Sequence, residues 1–410
     1  MANLSGLFKH YHDETKQKSE HMMKSFSEST TASSLGGLPQ IIENKQEIIR
    51  PLYGKKGTHK PAIGDHPDFI HLKGTDKTEK CSIVTLFMDI ENSTGLSNRF
   101  ELEDVYNIKN AFIKLTMTII QSFDGHVHRI MGDAVMAFFG GFGQKDENSV
   151  INGINCASVL QLFVNNDVIP FLKGEYGHDV EFGIRIGLDY GNAKDVLWSS
   201  YGFPGMEEVT ATSFYVDIAS KMQHIAKKNQ IMIGKNLKEH IDLPEELVEN
   251  KSELMPSFPK HNSLFYKYHS FELNWTEYIN LSLLKEYTQL HVNPIITIGL
   301  SDSKHGEISN RYYPSSCIIP KGKWIKFEVK MQRKALSIPF EIEFIVENHG
   351  KEASKRTDNG NHSTPNVCNN FEPIINWEHT EYRGLHYMII KIINSNDRIV
   401  YEKKIGIYVE

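Results

Sequence analysis

The sequence predicts an α/β domain, a mixed sheet with helices packed against it, followed by a separate all-β sandwich. Three observations carry this. At 410 residues the chain exceeds what one ordinary core can organise. Over 81–245, apolar strand-like runs alternate with segments whose apolar residues recur at three and four residue steps. From about 291 the pattern changes to short strand-like runs separated by Gly, Asn and Asp clusters.

Taken in order, residues 1–80 read as an N-terminal helix and a flexible linker. Leu4, Leu7, Phe8 and Tyr11 line one helical face, which suits a short docking or dimer-contact helix. Ser27 through Gly37, rich in Ser, Thr and Gly, lacks the apolar area needed to order itself. The stretch from about 40 to 80 is basic and broken by Pro51, Pro61 and Pro67, so it is expected to drape over a surface.

Ile83 to Ile90 has the β-branched and aromatic character of a strand buried on both faces. Val105, Ile108, Phe112, Leu115 and Ile119 then mark a helix. His126 to Ile130 and Ala134 to Phe139 form a hairpin around Met131, Gly132 and Asp133. A second helix over about 148–171 is expected to stop near Pro170. Strands follow at 182–188 and 193–197, a third helix at about 213–228, and a closing strand at 230–233. Residues 246–290 read as a connector, and 291–410 as the sandwich.

Composition removes some functions. A net charge of −6 argues against a nucleic-acid binder that works by bulk electrostatics. Cys81, Cys156, Cys317 and Cys368 are too scattered for a zinc or redox motif and read as reduced thiols. With no apolar core of signal-peptide length and no run long enough to span a bilayer, a cytoplasmic protein without a membrane partner is expected.

The chemistry concentrates on Asp89 and Asp133, each at the end of a short apolar run beside a small or hydroxylated turn. Carboxylate oxygens suit Mg²⁺ or Mn²⁺, and two aspartates on adjacent strands can hold two such ions for in-line attack at phosphorus. The backbone N–H groups of Asn92, Ser93 and Thr94, where strand gives way to helix, can cradle phosphate oxygens. The residues alone equally allow each aspartate to be a turn former or a helix cap.

Three motifs decide between these readings. Phe87-Met88-Asp89-Ile90-Glu91-Asn92-Ser93-Thr94, the hairpin Arg129 through Phe138, and Ile184-Arg185-Ile186-Gly187-Leu188-Asp189-Tyr190-Gly191 together resemble the class III nucleotide cyclase catalytic domain, in that family's order. The resemblance implies a ferredoxin-like core that acts as a homodimer with active sites between protomers. It implies that Asp89, Asp133 and the Ile90 carbonyl hold two divalent cations, and that the ribose 3′-OH of a nucleoside triphosphate attacks the α-phosphorus. Phe87, Asn92, Ser93, Thr94, Arg129 and Thr210 fall at substrate-binding positions.

Two departures from the family pattern are visible. Asp217 and Lys221 occupy the third-helix positions where the family carries a ribose-orienting Asn and a transition-state Arg supplied by the opposite protomer. Lys221 can bring positive charge to a phosphate, although it lacks the planar fork of Arg, and the bland alternative is a surface ion pair between the two. Arg129 and Thr210 stand where purine cyclases often carry Lys and Asp.

That substitution resembles the bacterial pyrimidine cyclases of anti-phage signalling, which leaves CTP and UTP both open as substrate. Phe344 through Ala353 and Thr380 through Tyr387 look like the sensor domain appended to such cyclases, implying a phage-derived cue at the C-terminal domain. An adenylyl cyclase, a non-catalytic nucleotide-binding module and an interaction scaffold are the competing readings.

Overall fold

The computed structural model describes residues 6–27, 46–259, 265–282, 293–331 and 336–410. The linker expected over Ser27–Gly37 lies, from residue 28 on, outside the described residues, as do Leu4 and part of the expected connector. The chain divides into two compact units, one built from Met1–Pro51, Lys55–Leu237 and Glu249–Trp275, the other from Leu52–Gly54, Lys238–Val248 and Thr276–Glu410.

The first unit is built on a seven-stranded mixed sheet of order β3-β4-β2-β5-β8-β12-β9. Its strands are β2 (Ile83–Ile90), β3 (His126–Met131), β4 (Ala134–Phe139), β5 (Ile184–Gly191), β8 (Ile231–Gly234), β9 (Val248–Asn250) and β12 (Ser270–Leu273). β5 and β8 pair in parallel; β2 lies antiparallel to both β4 and β5. Strand β2 is central because Val84, Leu86, Met88 and Ile90 are buried, whereas Phe87 and Asp89 on the other face are half-buried.

Helices α1 (Leu7–Ser27), α2 (Ser93–Arg99), α3 (Leu102–Ser122), α4 (Asp146–Phe163), α5 (Ile169–Tyr176) and α6 (Phe214–Ile225) belong to this unit. The five apolar residues that mark α3 in the sequence are all buried. Helix α1 buries Leu7, Phe8 and Tyr11, and buried Asp167 accepts from the Gly6 and Phe8 amides at 2.6 and 2.8 Å. A carboxylate so placed satisfies donors that a helix start leaves orphaned.

Pro170 does not end the second helix. A π-turn, Val164–Val168, carries α4 into α5 without a break, and Pro170 sits in the first turn of α5, directly after that wider turn. The strand expected at 193–197 in fact begins at Leu197. Strands β6 (Leu197–Phe203) and β7 (Met206–Thr212) form a three-stranded sheet with β1 (Thr78–Lys80). Phe69 stacks on the fully buried Trp198 of β6 with ring centroids 3.9 Å apart. Part of the expected connector is ordered structure, since β9 and β12 extend the central sheet.

Two residues of β5 govern what lies against it. A methyl group on Gly187 would meet Ala219 O at 2.1 Å and Gln223 N at 2.3 Å, so glycine alone admits α6 this close to the sheet. Asp189 is fully buried, accepting from Tyr268 Oη at 2.7 Å and from the Tyr190 and Leu237 amides at 2.9 and 3.3 Å. Burial pushes its carboxyl up to about 7 from 3.8, against the pull of those three donors.

The folded state therefore holds a proton between pH 3.8 and 7 that the unfolded chain has lost, and stability falls as pH rises through that window. A loss on the order of 4 kcal/mol is expected. Urea titrations at pH 5 and pH 8 should show the upper part of this decline, roughly 3 kcal/mol, in the wild type and a smaller one in Asp189→Asn; equal declines would contradict it.

The second unit is an all-β sandwich. A four-stranded sheet of β14 (Asn310–Arg311), β13 (Ile295–Ser301), β16 (Trp324–Lys330) and β19 (Ile374–His379), in that order, faces a five-stranded sheet of β15 (Ile318–Ile319), β21 (Ile399–Val409), β20 (Gly384–Ile393), β17 (Phe340–Glu347) and β18 (His362–Cys368). Its core includes Ile298, Phe327 and Val329 from the first, with Ile342, Phe344, Ile390 and Ile405 from the second. Among the described residues no helix is long and apolar enough to cross a membrane.

Candidate functional site

The edge at which β2 ends and the β3–β4 hairpin turns brings Asp89 and Asp133 together. Met88 pairs with Val135 across β2 and β4, so each aspartate lies within two residues of that shared rung. Gly132, with φ of +68°, makes the turn that presents Asp133. Burial raises the Asp89 carboxyl above the usual carboxylate range. Arg185 pulls it down, and the facing carboxylate of Asp133 pushes it up again.

Three residues that the sequence reading passed over hold this pair. Arg185, directly opposite Asp89 in the β2–β5 register, donates from Nη2 to Asp89 Oδ2 at 2.6 Å. Gln223 of α6 donates to the same oxygen at 3.3 Å. Lys109 of α3 lies 3.5 Å from Asp133 Oδ1. The register of two equal apolar runs, 83–90 against 184–191, is the one signal in the sequence able to place Arg185 on Asp89.

Asp133 Oδ2 is buried and, among the described residues, finds no hydrogen-bond partner. An orphaned, solvent-shielded carboxylate oxygen beside a second carboxylate is a costly arrangement unless a cation completes it. Oxygen donors of this kind fit hard divalent cations. Among the described residues no cluster of three or more His, Cys, Asp or Glu side chains gathers for a metal.

The other expected positions divide in two. Ile90 closes β2, and Asn92, in left-handed conformation with φ of 55°, starts α2 with Ser93 and Thr94 following, all beside Asp89. Arg129, Met136, Phe87 and Gly187 pair in succession across four strands, so Arg129 and Phe87 share a sheet face with Asp89 two residues on. Thr210 is on β7, two residues from Glu208, which receives the Arg129 guanidinium.

Asp217 and Lys221 stand apart. Both are exposed on α6, and among the described residues no ion pair joins them; Lys221 Nζ instead lies 5.9 Å from the Phe258 ring centroid. Gln223, which reaches Asp89, and Lys221 are about 200° apart around the helix. One chain therefore cannot turn both toward the same carboxylates.

Comparison with known proteins agrees with the geometry. Residues 75–257 match the model of the adenylate and guanylate cyclase catalytic domain, and 273–410 match the adenylyl/guanylyl and SMODS C-terminal sensor domain. A cytidylate cyclase of Escherichia coli is 36% identical over 98% of this chain and 90% of its own length. One from Staphylococcus aureus is 31% identical over 91% of this chain and 88% of its own length. A second from Escherichia coli is 30% identical over 90% and 88% respectively. Because these matches run through both the catalytic and the sensor regions, the chain belongs to the cytidylate cyclase family of class III nucleotide cyclases.

Proposed function

We propose that this chain converts CTP to cyclic 3′,5′-CMP and pyrophosphate as a homodimer. The observation that carries the reading is the meeting of Asp89 with Asp133, whose buried Oδ2 finds no partner among the described residues; the names of the relatives favour cytidine over uridine. Class III cyclases depend on divalent cations. Asp89, Asp133 and the Ile90 carbonyl would hold two divalent cations, Mn²⁺ or Mg²⁺, which would supply Lewis acidity at the 3′-hydroxyl and offset charge on the pyrophosphate.

In this reading Arg185 and Gln223 fix the Asp89 carboxylate, and Lys109 steadies Asp133. The Asn92, Ser93 and Thr94 backbone lies along the phosphates, while Phe87, Arg129 and Thr210 face the nucleoside. The 3′-oxygen bonds to the α-phosphorus, the bridge to the β-phosphate breaks, and the hydroxyl proton passes to solvent. Lys221 and Asp217 reach the nucleotide from the second protomer, because their face of α6 is turned away from their own Asp89.

The homodimer acts in the cytoplasm as a second-messenger synthase of antiviral defence, with a phage-derived cue acting at the C-terminal unit. The match to a sensor-domain model supports that assignment. Incubation with CTP and Mn²⁺ should yield cyclic CMP and pyrophosphate in equal amounts. Nucleotide binding without pyrophosphate release would instead favour a non-catalytic module.

A further inference from the structure

Arg129 does not meet its surroundings alone. Its Nε lies 2.5 Å from Glu208 Oε1, and its Nη2 donates to Glu208 Oε2, a two-pronged pair between β3 and β7. Both side chains keep considerable exposure, 40% for Arg129 and 37% for Glu208, so a ligand can reach them. The pair is backed by a built wall. The buried His128 ring places Nε2 3.2 Å from Glu208 Oε1, while its Nδ1–H donates to Gly64 O at 2.9 Å. Strand β7 is tied down one residue further on, where the Val209 amide donates to Asp65 Oδ1 at 2.8 Å. Glu208 and Thr210 alternate onto the same side of β7.

Resting on the reading of this chain as a CTP cyclase, we infer that Glu208, held by Arg129, is the residue that selects the amino edge of cytosine against the keto edge of uracil. The pair engages one hydrogen on Nε and one on Nη2, which leaves three guanidinium hydrogens, two on Nη1 and one on Nη2, as donors beside a carboxylate with spare lone pairs. Cytosine offers O2 and N3 as acceptors next to the N4 amino donor. Guanidinium hydrogens meet the acceptors, and a Glu oxygen accepts from the amino group, the usual partner of a cytosine N4 in base recognition. Uracil turns a carbonyl toward the same carboxylate, acceptor against acceptor, and leaves buried polar groups unpaired. Ring size is not read by this pair, since adenine also carries an amino group beside a ring acceptor; it reads amino against keto.

Glu208→Gln keeps the shape and replaces a pure acceptor with a group that turns either its carbonyl or its amide outward. Cyclisation of CTP and UTP by wild type and variant gives two kcat/KM ratios. The CTP:UTP ratio should fall by roughly 10–100-fold in the variant, with most of the loss on CTP. A ratio unchanged within about twofold in a folded variant would make the pair a purely structural tie between strands. Wild-type enzyme with 2-pyrimidinone riboside triphosphate, which lacks only the amino group, checks the same point without a substitution. A roughly 10–100-fold loss relative to CTP is expected, and equal turnover would overturn the inference. A wild type inactive on CTP would overturn the functional reading itself, whereas an active wild type with an unshifted ratio would overturn only the role of Glu208.

Discussion

Replacing Asp89 or Asp133 by Ala is expected to cut cyclic nucleotide formation by roughly 10³-fold or more while leaving the fold intact. Each substitution removes half of the carboxylate pair at the sheet edge, and with it oxygens that suit a divalent cation. Stability should suffer little, because Asp133 loses a long 3.5 Å tie to Lys109 and Asp89 loses its ties to Arg185 and Gln223. Relief of burying two carboxylates side by side offsets part of that loss. Product quantified by chromatography, with circular dichroism on the same samples, checks both halves. Turnover within tenfold of wild type in either variant would remove the two-carboxylate argument.

Mixing two inactive variants should restore activity. Asp89→Ala and Lys221→Ala homodimers are each expected to be disabled, the first at its cations and the second at the charge brought to the phosphates. If Lys221 serves the partner's Asp89, a mixed dimer holds one fully intact site and one doubly defective site. Random reassortment then recovers roughly one quarter of wild-type activity. The outward position of Lys221, about 200° around α6 from Gln223, motivates this. No recovery in mixtures shown by mass to contain heterodimers would mean that Lys221 does not act across protomers.

Much of the catalytic unit is legible in the sequence because local pattern and tertiary role coincide there. The three-and-four spacing of Val105, Ile108, Phe112, Leu115 and Ile119 is the buried face of α3, and the apolar run 83–90 is the central strand because both its neighbours are in the same sheet. The sandwich is legible from its turn residues and short apolar runs. Strands β6 and β7 are not, since beyond Trp198 their side chains are largely half-buried or exposed and show no apolar alternation to read.

The site divides along the same line. Asp89 and Asp133 stand out because each interrupts an apolar run. Arg185, Gln223 and Lys109 look like ordinary surface residues until β5, α6 and α3 are laid against the carboxylates. Glu208 is hidden for the same reason, as it gains meaning only when β7 sets it against Arg129. Pro170 misleads in the other direction: the π-turn Val164–Val168 directly before it lets the helix pass.

Competition among all four triphosphates tests the central claim most directly. Equimolar ATP, GTP, CTP and UTP with Mn²⁺ in one reaction, resolved by mass spectrometry, should give cyclic CMP as the dominant product, absent in the Asp89→Ala control. Dominant cyclic AMP, or no cyclic product from a correctly folded dimer, would contradict it.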